Sequence, residues 1–97
     1  MNKEKELYQK KIQAQIDEWK AELSKLRAQS AGASADAQLE LNQQVKELES
    51  NVDEAENKLT ELREASDEAW DSLKAGVEEA WGSLMTGFSE ATSKFKN

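Results

Sequence analysis

The amino-acid sequence predicts an all-α protein: an elongated, antiparallel coiled-coil helical hairpin followed by an amphipathic C-terminal helix. Three observations predict this class. The chain has no proline and only 4 glycines in 97 residues, its apolar residues recur at helical spacings, and its last third repeats with an 11-residue period. We expect a hairpin over residues 1–66, with a turn near 31–34, and a tail helix over residues 67–97.

The first helix is predicted from residue 4 to residue 30, a stretch without glycine that is rich in strong helix formers. Its apolar residues follow alternating steps of four and three, the spacing of a coiled-coil seam. Gly32, the chain's first glycine, is expected near the end of this helix, with Ser34 or Ser30 capping the next one. One unbroken helix through this Ala-rich stretch is the alternative.

The second helix carries a similar seam from Leu41 to Leu62. If the chain folds back about residue 32, Leu23 lies opposite Leu41. The same register places the preceding apolar residues of the first seam opposite those that follow Leu41 in the second, as an antiparallel coiled-coil hairpin requires. These layers form the predicted hairpin core, which consists of Ile12, Ile16, Trp19, Leu23, Leu41, Val45, Leu48 and Val52.

Charge favours the same pairing of the two helices. Residues 1–30 hold seven basic and five acidic residues, whereas residues 31–66 hold three and nine. Lys20 and Arg27 flank the first seam, and Glu49 and Glu56 flank the second. Because exposed ion pairs contribute only about 0.2–1 kcal/mol each, they select the orientation of the helices more than they stabilise the hairpin.

The tail contains an internal repeat. Residues 70–80 read WDSLKAGVEEA and residues 81–91 read WGSLMTGFSEA, with six of eleven positions identical. An 11-residue period is typical of a nearly straight helix, and at about 100° per residue the large apolar side chains fall within roughly 80° of arc. These residues form the predicted interaction surface, namely Trp70, Leu73, Val77, Trp81, Leu84, Phe88 and Phe95.

Beside this surface runs a stripe of small residues: Gly76, Ala80, Ser83 and Gly87. Small side chains allow another helix to approach closely, so one interpretation is a partner helix packed on this stripe. The other interpretation is local flexibility, because glycine weakens a helix by about 1 kcal/mol relative to alanine.

The predicted hairpin leaves the tail without a mate, and a large apolar arc indicates an interaction surface. Three arrangements would cover it: fold-back near Ser66 and Asp67 as a third helix, pairing with another copy, or contact with a lipid-like surface. Ser66 would cap a third helix. However, no glycine or proline lies between residues 60 and 70, so we expect the second helix to continue to about residue 75 and the tails of two or more chains to bundle.

Composition excludes several functions. Without histidine or cysteine the chain lacks the usual neutral-pH proton shuttle, thiolates and zinc ligands, so we expect no catalytic, cofactor-binding or metal-binding residues. The acidic residues of the second helix are interpreted as a solvated face. A net charge of -7 argues against nucleic acid. The N-terminal stretch has no apolar run, so a cytoplasmic location is expected.

The straight 11-residue repeats of residues 59–95 resemble those of exchangeable apolipoproteins and of desiccation-linked late-embryogenesis proteins. This resemblance implies an alternative function, coating of a lipid or hydrophobic granule surface. An anionic membrane is disfavoured, because residues 67–97 hold three lysines against six acidic residues.

Over nearly its full length the chain is similar to small bacterial coiled-coil proteins of a cyanobacterial-type stress-response family. The resemblance lies in YQKKIQAQIDEWKAELSKL, the short Ala/Ser turn, NVDEAENKLTELREASDEAWDSLKAGVEEAW and the tail. It implies a non-enzymatic, stress-associated helical protein without catalytic residues. From the unpaired apolar tail we expect a homo-oligomer, a dimer or larger, and a helical protein is the other partner that this surface suggests.

Overall fold

Three long helices form an up-down-up bundle in the computed structural model, which describes residues 3–96 and the side chains of residues 3–94. Helix α1 spans Lys3–Ala31, α2 spans Ala35–Arg63 and α3 spans Asp67–Lys96. The bundle measures 52 × 18 × 17 Å. The predicted class is therefore confirmed: the protein is an elongated all-α hairpin with a third, amphipathic helix.

The first turn lies where the sequence predicts it. Helix α1 ends one residue before Gly32, whose N–H donates to the Gln29 carbonyl at 3.2 Å. Ser34 caps α2 by accepting a first-turn backbone N–H at 3.4 Å, and Asp36 lies in that turn, where its charge complements the helix dipole. No glycine among the described residues has a positive φ, so the turn closes through short-range hydrogen bonds.

The second turn corrects a prediction. Helix α2 ends at Arg63 instead of continuing to about residue 75, and α3 folds back against the hairpin. The Ala65 N–H donates to the Leu62 carbonyl at 3.2 Å, and Ser66 Oγ accepts the Ala69 N–H at 3.3 Å, which caps α3. Folding back buries the apolar face of α3, and this burial outweighs the helix propensity of the few turn residues.

The hairpin pairs the expected faces about one heptad away from the expected register. The Ser30 hydroxyl donates to Asn42 Oδ1 at 2.7 Å, whereas the predicted register sets Ser30 opposite Ser34. Because the seam repeats every seven residues, such a shift preserves the faces, gives each residue a new partner and changes which residues lie in the end layers. Leu41 is consequently half-buried, while Leu26, which the predicted register places opposite a glutamine, is fully buried.

One apolar core runs the length of the bundle. Of the eight predicted hairpin-core residues, all except Leu41 are buried. The buried apolar residues are Ile12, Ile16, Trp19, Leu23, Leu26, Val45, Leu48, Val52, Ala55, Leu59, Leu62, Trp70, Val77, Leu84, Phe88 and Ala91. At the surface Lys20 pairs with Glu56 at 2.6 Å and Arg27 pairs with Glu49. This confirms the charge pairing that the sequence predicts.

Candidate interaction surface

The large apolar residues of α3, here called the aromatic face, lie inside the bundle. The described members are Trp70, Leu73, Val77, Trp81, Leu84 and Phe88, and the side chain of Phe95 lies outside the described residues. Four of the six are buried, whereas Leu73 and Trp81 are partly buried against the same core. The hairpin of the same chain therefore covers the aromatic face, so the expectation that the hairpin leaves this face without a mate is wrong.

The aromatic face packs against α1 through ring contacts. Trp19 stacks on Phe88 with ring centroids 5.8 Å apart and planes within 2°, and it meets Trp81 edge-on at 5.8 Å. Tyr8 meets Trp70 edge-on at 6.1 Å. Because such pairs contribute about 0.5–1.5 kcal/mol beyond area burial, these rings are a major part of the α1–α3 contact.

Three lysines cover the rings along this contact. Their Nζ atoms lie 4.9 Å from the ring centroid for Lys5 over Trp70, 5.4 Å for Lys11 over Trp81, and 4.9 Å for Lys74 over Tyr8. These distances permit cation–π attraction. Sequence reasoning missed all three lysines, since the pairs form between helices.

Two groups at the start of the α1–α3 contact have shifted pKa values. Lys5 Nζ lies 2.5 Å from Asp67 Oδ1, and this hydrogen bond and charge lower the pKa of the Asp67 carboxyl. Burial, together with the Glu78 carboxylate, raises the pKa of the Tyr8 phenol. The Tyr8 hydroxyl is buried without a hydrogen-bond partner among the described residues. Ionisation of Tyr8 therefore opposes closure of α3 on α1.

The small-residue stripe of α3 faces α2. A Cβ added to Gly87 would lie 2.9 Å from Leu48 Cδ2, so the two helices approach closely at this level. Gly76, Ala80 and Ser83 line a groove of about 220 Å³ between the same helices. The helix that packs on the predicted stripe is therefore α2 of the same chain.

The described residues contain no group of three or more acidic residues, histidines or cysteines arranged to hold a metal ion. Within that part of the chain, no helix combines the length and the apolar character that crossing a membrane requires. A groove of about 490 Å³ opens along the α1–α3 contact and is lined in part by Trp19, Phe88, Glu18 and Glu22.

Comparison of the chain with protein-family models, with curated proteins and with solved structures found no match. The structure itself defines the class, an antiparallel three-helix bundle.

Proposed function

We propose that this chain is a non-enzymatic helical interaction protein that self-assembles through α3 as a dimer or larger homo-oligomer. The supporting observation is the fit of the aromatic face to the hairpin, because the hairpin of a second copy offers the same complementary surface. The proposal includes the cytoplasmic location and the stress-associated setting that the sequence analysis expects.

The hairpin has polar contacts of its own. Four side-chain contacts join α1 to α2 without α3, namely Gln13–Arg63, Lys20–Glu56, Arg27–Glu49 and Ser30–Asn42. The ion pairs that join α3 to the hairpin lie near its two ends, Lys5–Asp67 and Lys94–Glu40, the latter at 3.4 Å. Exposed pairs of this kind contribute about 0–1 kcal/mol. Apolar burial consequently holds α3 in place, and another copy can supply that burial.

The size of the chain also favours exchange of α3. A domain of 97 residues buries only about 60–65% of the surface of its unfolded chain, so its stability is marginal. Local opening of one helix costs less than global unfolding. Opening of α3 exposes Leu84 and Phe88, which are buried in the closed bundle, and contact with a second copy removes them from water again.

Sedimentation analysis of the full chain over a wide concentration range tests this proposal. We expect the mass to rise from one chain to at least two. Leu84→Asp should abolish this rise because Leu84 is fully buried on the aromatic face, whereas Met85→Asp, at a neighbouring position that is 57% exposed, should not. If Leu84→Asp does not fold, Phe88→Ala replaces it as the variant that should abolish the rise in mass. A mass of one chain at every concentration would contradict the proposal.

The lysines over the rings favour a second candidate function, coating of a lipid or granule surface. In sequence α3 is acidic, but the fold adds Lys5 and Lys11 of α1 beside its tryptophans. Separation of α3 from α1 would expose the rings of Tyr8 and Trp19 on α1 beside Lys5 and Lys11. Apolar residues next to basic groups on one helix are the pattern of a helix that lies on a membrane surface. The tertiary structure thus weakens the charge argument against an anionic surface.

Vesicle flotation distinguishes this candidate from self-assembly. Under the coating hypothesis the protein floats with anionic vesicles, its tryptophan emission shifts to the blue, and a Lys5→Gln/Lys11→Gln variant binds less. Lys25→Gln, at an exposed position on α1, is the matched control. Equal flotation of the two variants would contradict a role for the lysines over the rings.

A further inference from the structure

The turn between α2 and α3 differs from a helix at very few residues. Glu64, which follows α2, has dihedral angles of φ −94° and ψ 0°, in the right-handed helical region. Only residues 65 and 66 then separate it from α3. Ala65 is a strong helix former, and no glycine or proline lies in the turn. Straightening this short segment would join α2 and α3 into one helix.

The apolar pattern also continues through the turn. Leu59, Leu62, Ser66, Ala69 and Leu73 follow steps of three, four, three and four residues, which is the spacing of one uninterrupted coiled-coil seam. Local sequence therefore favours a straight helix, whereas burial of the aromatic face favours the turn. Both preferences are satisfied together when α3 of one copy packs on the hairpin of another.

We infer that two copies of this chain exchange α3 reciprocally, with residues 64–66 straightened so that α2 and α3 of each copy form one continuous helix. The inference rests on the proposed self-assembly and specifies its geometry. Each half of the dimer then contains α1 and α2 of one copy and α3 of the other, so the contacts of the closed bundle are kept and the assembly closes at two copies.

The contacts between α2 and α3 locate the symmetry axis. Gly87 lies against Leu48 and Lys94 pairs with Glu40, so both contacts are centred near residue 67. In the exchanged dimer residue 67 of one copy meets residue 67 of the second. Glu64, Asp67 and Glu68 of both copies then gather at the axis. Lys5 and Arg63 of both copies lie in the same region, so six acidic groups face four basic groups. The net repulsion that remains opposes the dimer, so added salt should increase the dimer fraction.

Cross-linking of the mixed-isotope protein tests the exchange directly. Unlabelled and nitrogen-15-labelled full chains are unfolded together, refolded at high concentration and treated with a carbodiimide, which joins a lysine to a neighbouring carboxylate. In the exchanged dimer the Lys94–Glu40 link joins different chains and yields mixed-isotope peptides. The Lys20–Glu56 link lies within the hairpin and stays in one chain, so it serves as the internal control.

A proline variant with a matched control isolates the straightened turn. Asp67 is the first residue of α3, where proline is well tolerated because that N–H has no partner within the helix. In a continuous helix the same proline is strongly destabilising. Asp67→Pro should therefore raise the dimer dissociation constant at least about a hundredfold. Asp67→Ala removes the same ion pair to Lys5 and should leave the dimer largely intact.

Removal of the α3 cap shifts the equilibrium the other way. Ser66→Ala deletes the hydroxyl that accepts the Ala69 N–H and suits a continuous helix, so we expect the dissociation constant to fall about tenfold.

The outcomes separate this inference from the proposed function. A dimer whose Lys94–Glu40 links all carry one isotope overturns the exchange and leaves self-assembly standing. Equal dimerisation of Asp67→Pro and Asp67→Ala also overturns the exchange. A chain that stays monomeric at all concentrations overturns both. Mixed-isotope Lys94–Glu40 links, together with same-isotope Lys20–Glu56 links, support both.

Discussion

Helix α3 meets its two neighbours in opposite ways. Toward α1 it presents large rings, with Trp19 packed between Trp81 and Phe88. Toward α2 it presents small residues, and Gly87 lets Leu48 approach the backbone. One helix thus combines a large area of apolar burial on one face with close backbone packing on the adjacent face. Different substitutions should disturb the two contacts.

The largest expected effect concerns the ring contacts. Trp19→Ala removes the side chain that contacts both Trp81 and Phe88 and should lower the free energy of unfolding by about 3–5 kcal/mol. Urea denaturation followed by circular dichroism measures this loss. The control Leu39→Ala, at a side chain that is 72% exposed, should stay within about 0.5 kcal/mol of the parent protein. Similar losses for both variants would contradict the assigned contact.

The close approach of α2 is tested by a larger side chain on α3. Gly87→Val places new atoms against Leu48 and should cost about 1–3 kcal/mol through overpacking. A Cβ at Gly82 would meet nothing within 4 Å, so Gly82→Val, in the same helix, is the matched control with little expected change. Thermal unfolding of the pair measures the difference, and equal midpoints would argue against close packing at Gly87.

Substitution of these glycines by alanine should change the free energy of unfolding by a smaller amount and in the stabilising direction. Gly82→Ala should stabilise the protein by about 0.5–1 kcal/mol, because alanine is the better helix former and the site is open. Gly87→Ala should stabilise it less, since the new methyl group displaces Leu48 Cδ2. Chemical denaturation of both variants compares the gains, and a greater gain at Gly87 would reverse our assignment of the two glycines.

The smallest expected effect is alkaline weakening of the α1–α3 contact. The pKa of Tyr8 in the folded protein lies above the unperturbed value of 10.0. Its contribution to stability is therefore fully present below the unfolded pKa and is lost as pH rises through the folded pKa. Thermal unfolding at increasing alkaline pH should show a smaller decline for Tyr8→Phe than for the parent protein. Equal declines for the two proteins would show that ionisation of Tyr8 does not contribute to the alkaline loss of stability.

Much of the bundle was predictable from local patterns. The absence of proline, the helix formers and the steps of four and three predict the helices of the hairpin, while Gly32 and Ser34 mark the first turn. The charges of Lys20 and Glu56 predict which edges meet. The prediction that large apolar residues and small residues occupy neighbouring faces of the C-terminal helix is also confirmed in α3.

The candidate site was less predictable, because its members come from different helices. The rings of Trp19 and Trp81 are 62 residues apart in sequence, and only the fold-back of α3 brings their centroids within 5.8 Å. Lys5 and Lys11 reach the tryptophans of α3 by the same fold-back. The sequence predicted that the aromatic face would be covered and offered fold-back as one of three arrangements, but it did not select the hairpin of its own chain as the cover.

The sequence by itself determined the helices, their apolar faces and the glycine-marked turn, because these depend on backbone preferences and on spacings within a few residues. Only the tertiary structure decided the hairpin register, the turn at residues 64–66 and the partner of the aromatic face. A seven-residue repeat is equally satisfied in registers one heptad apart, and a seam that continues through a turn is compatible with a bent or a straight chain. Total apolar burial across all three helices selects among these arrangements.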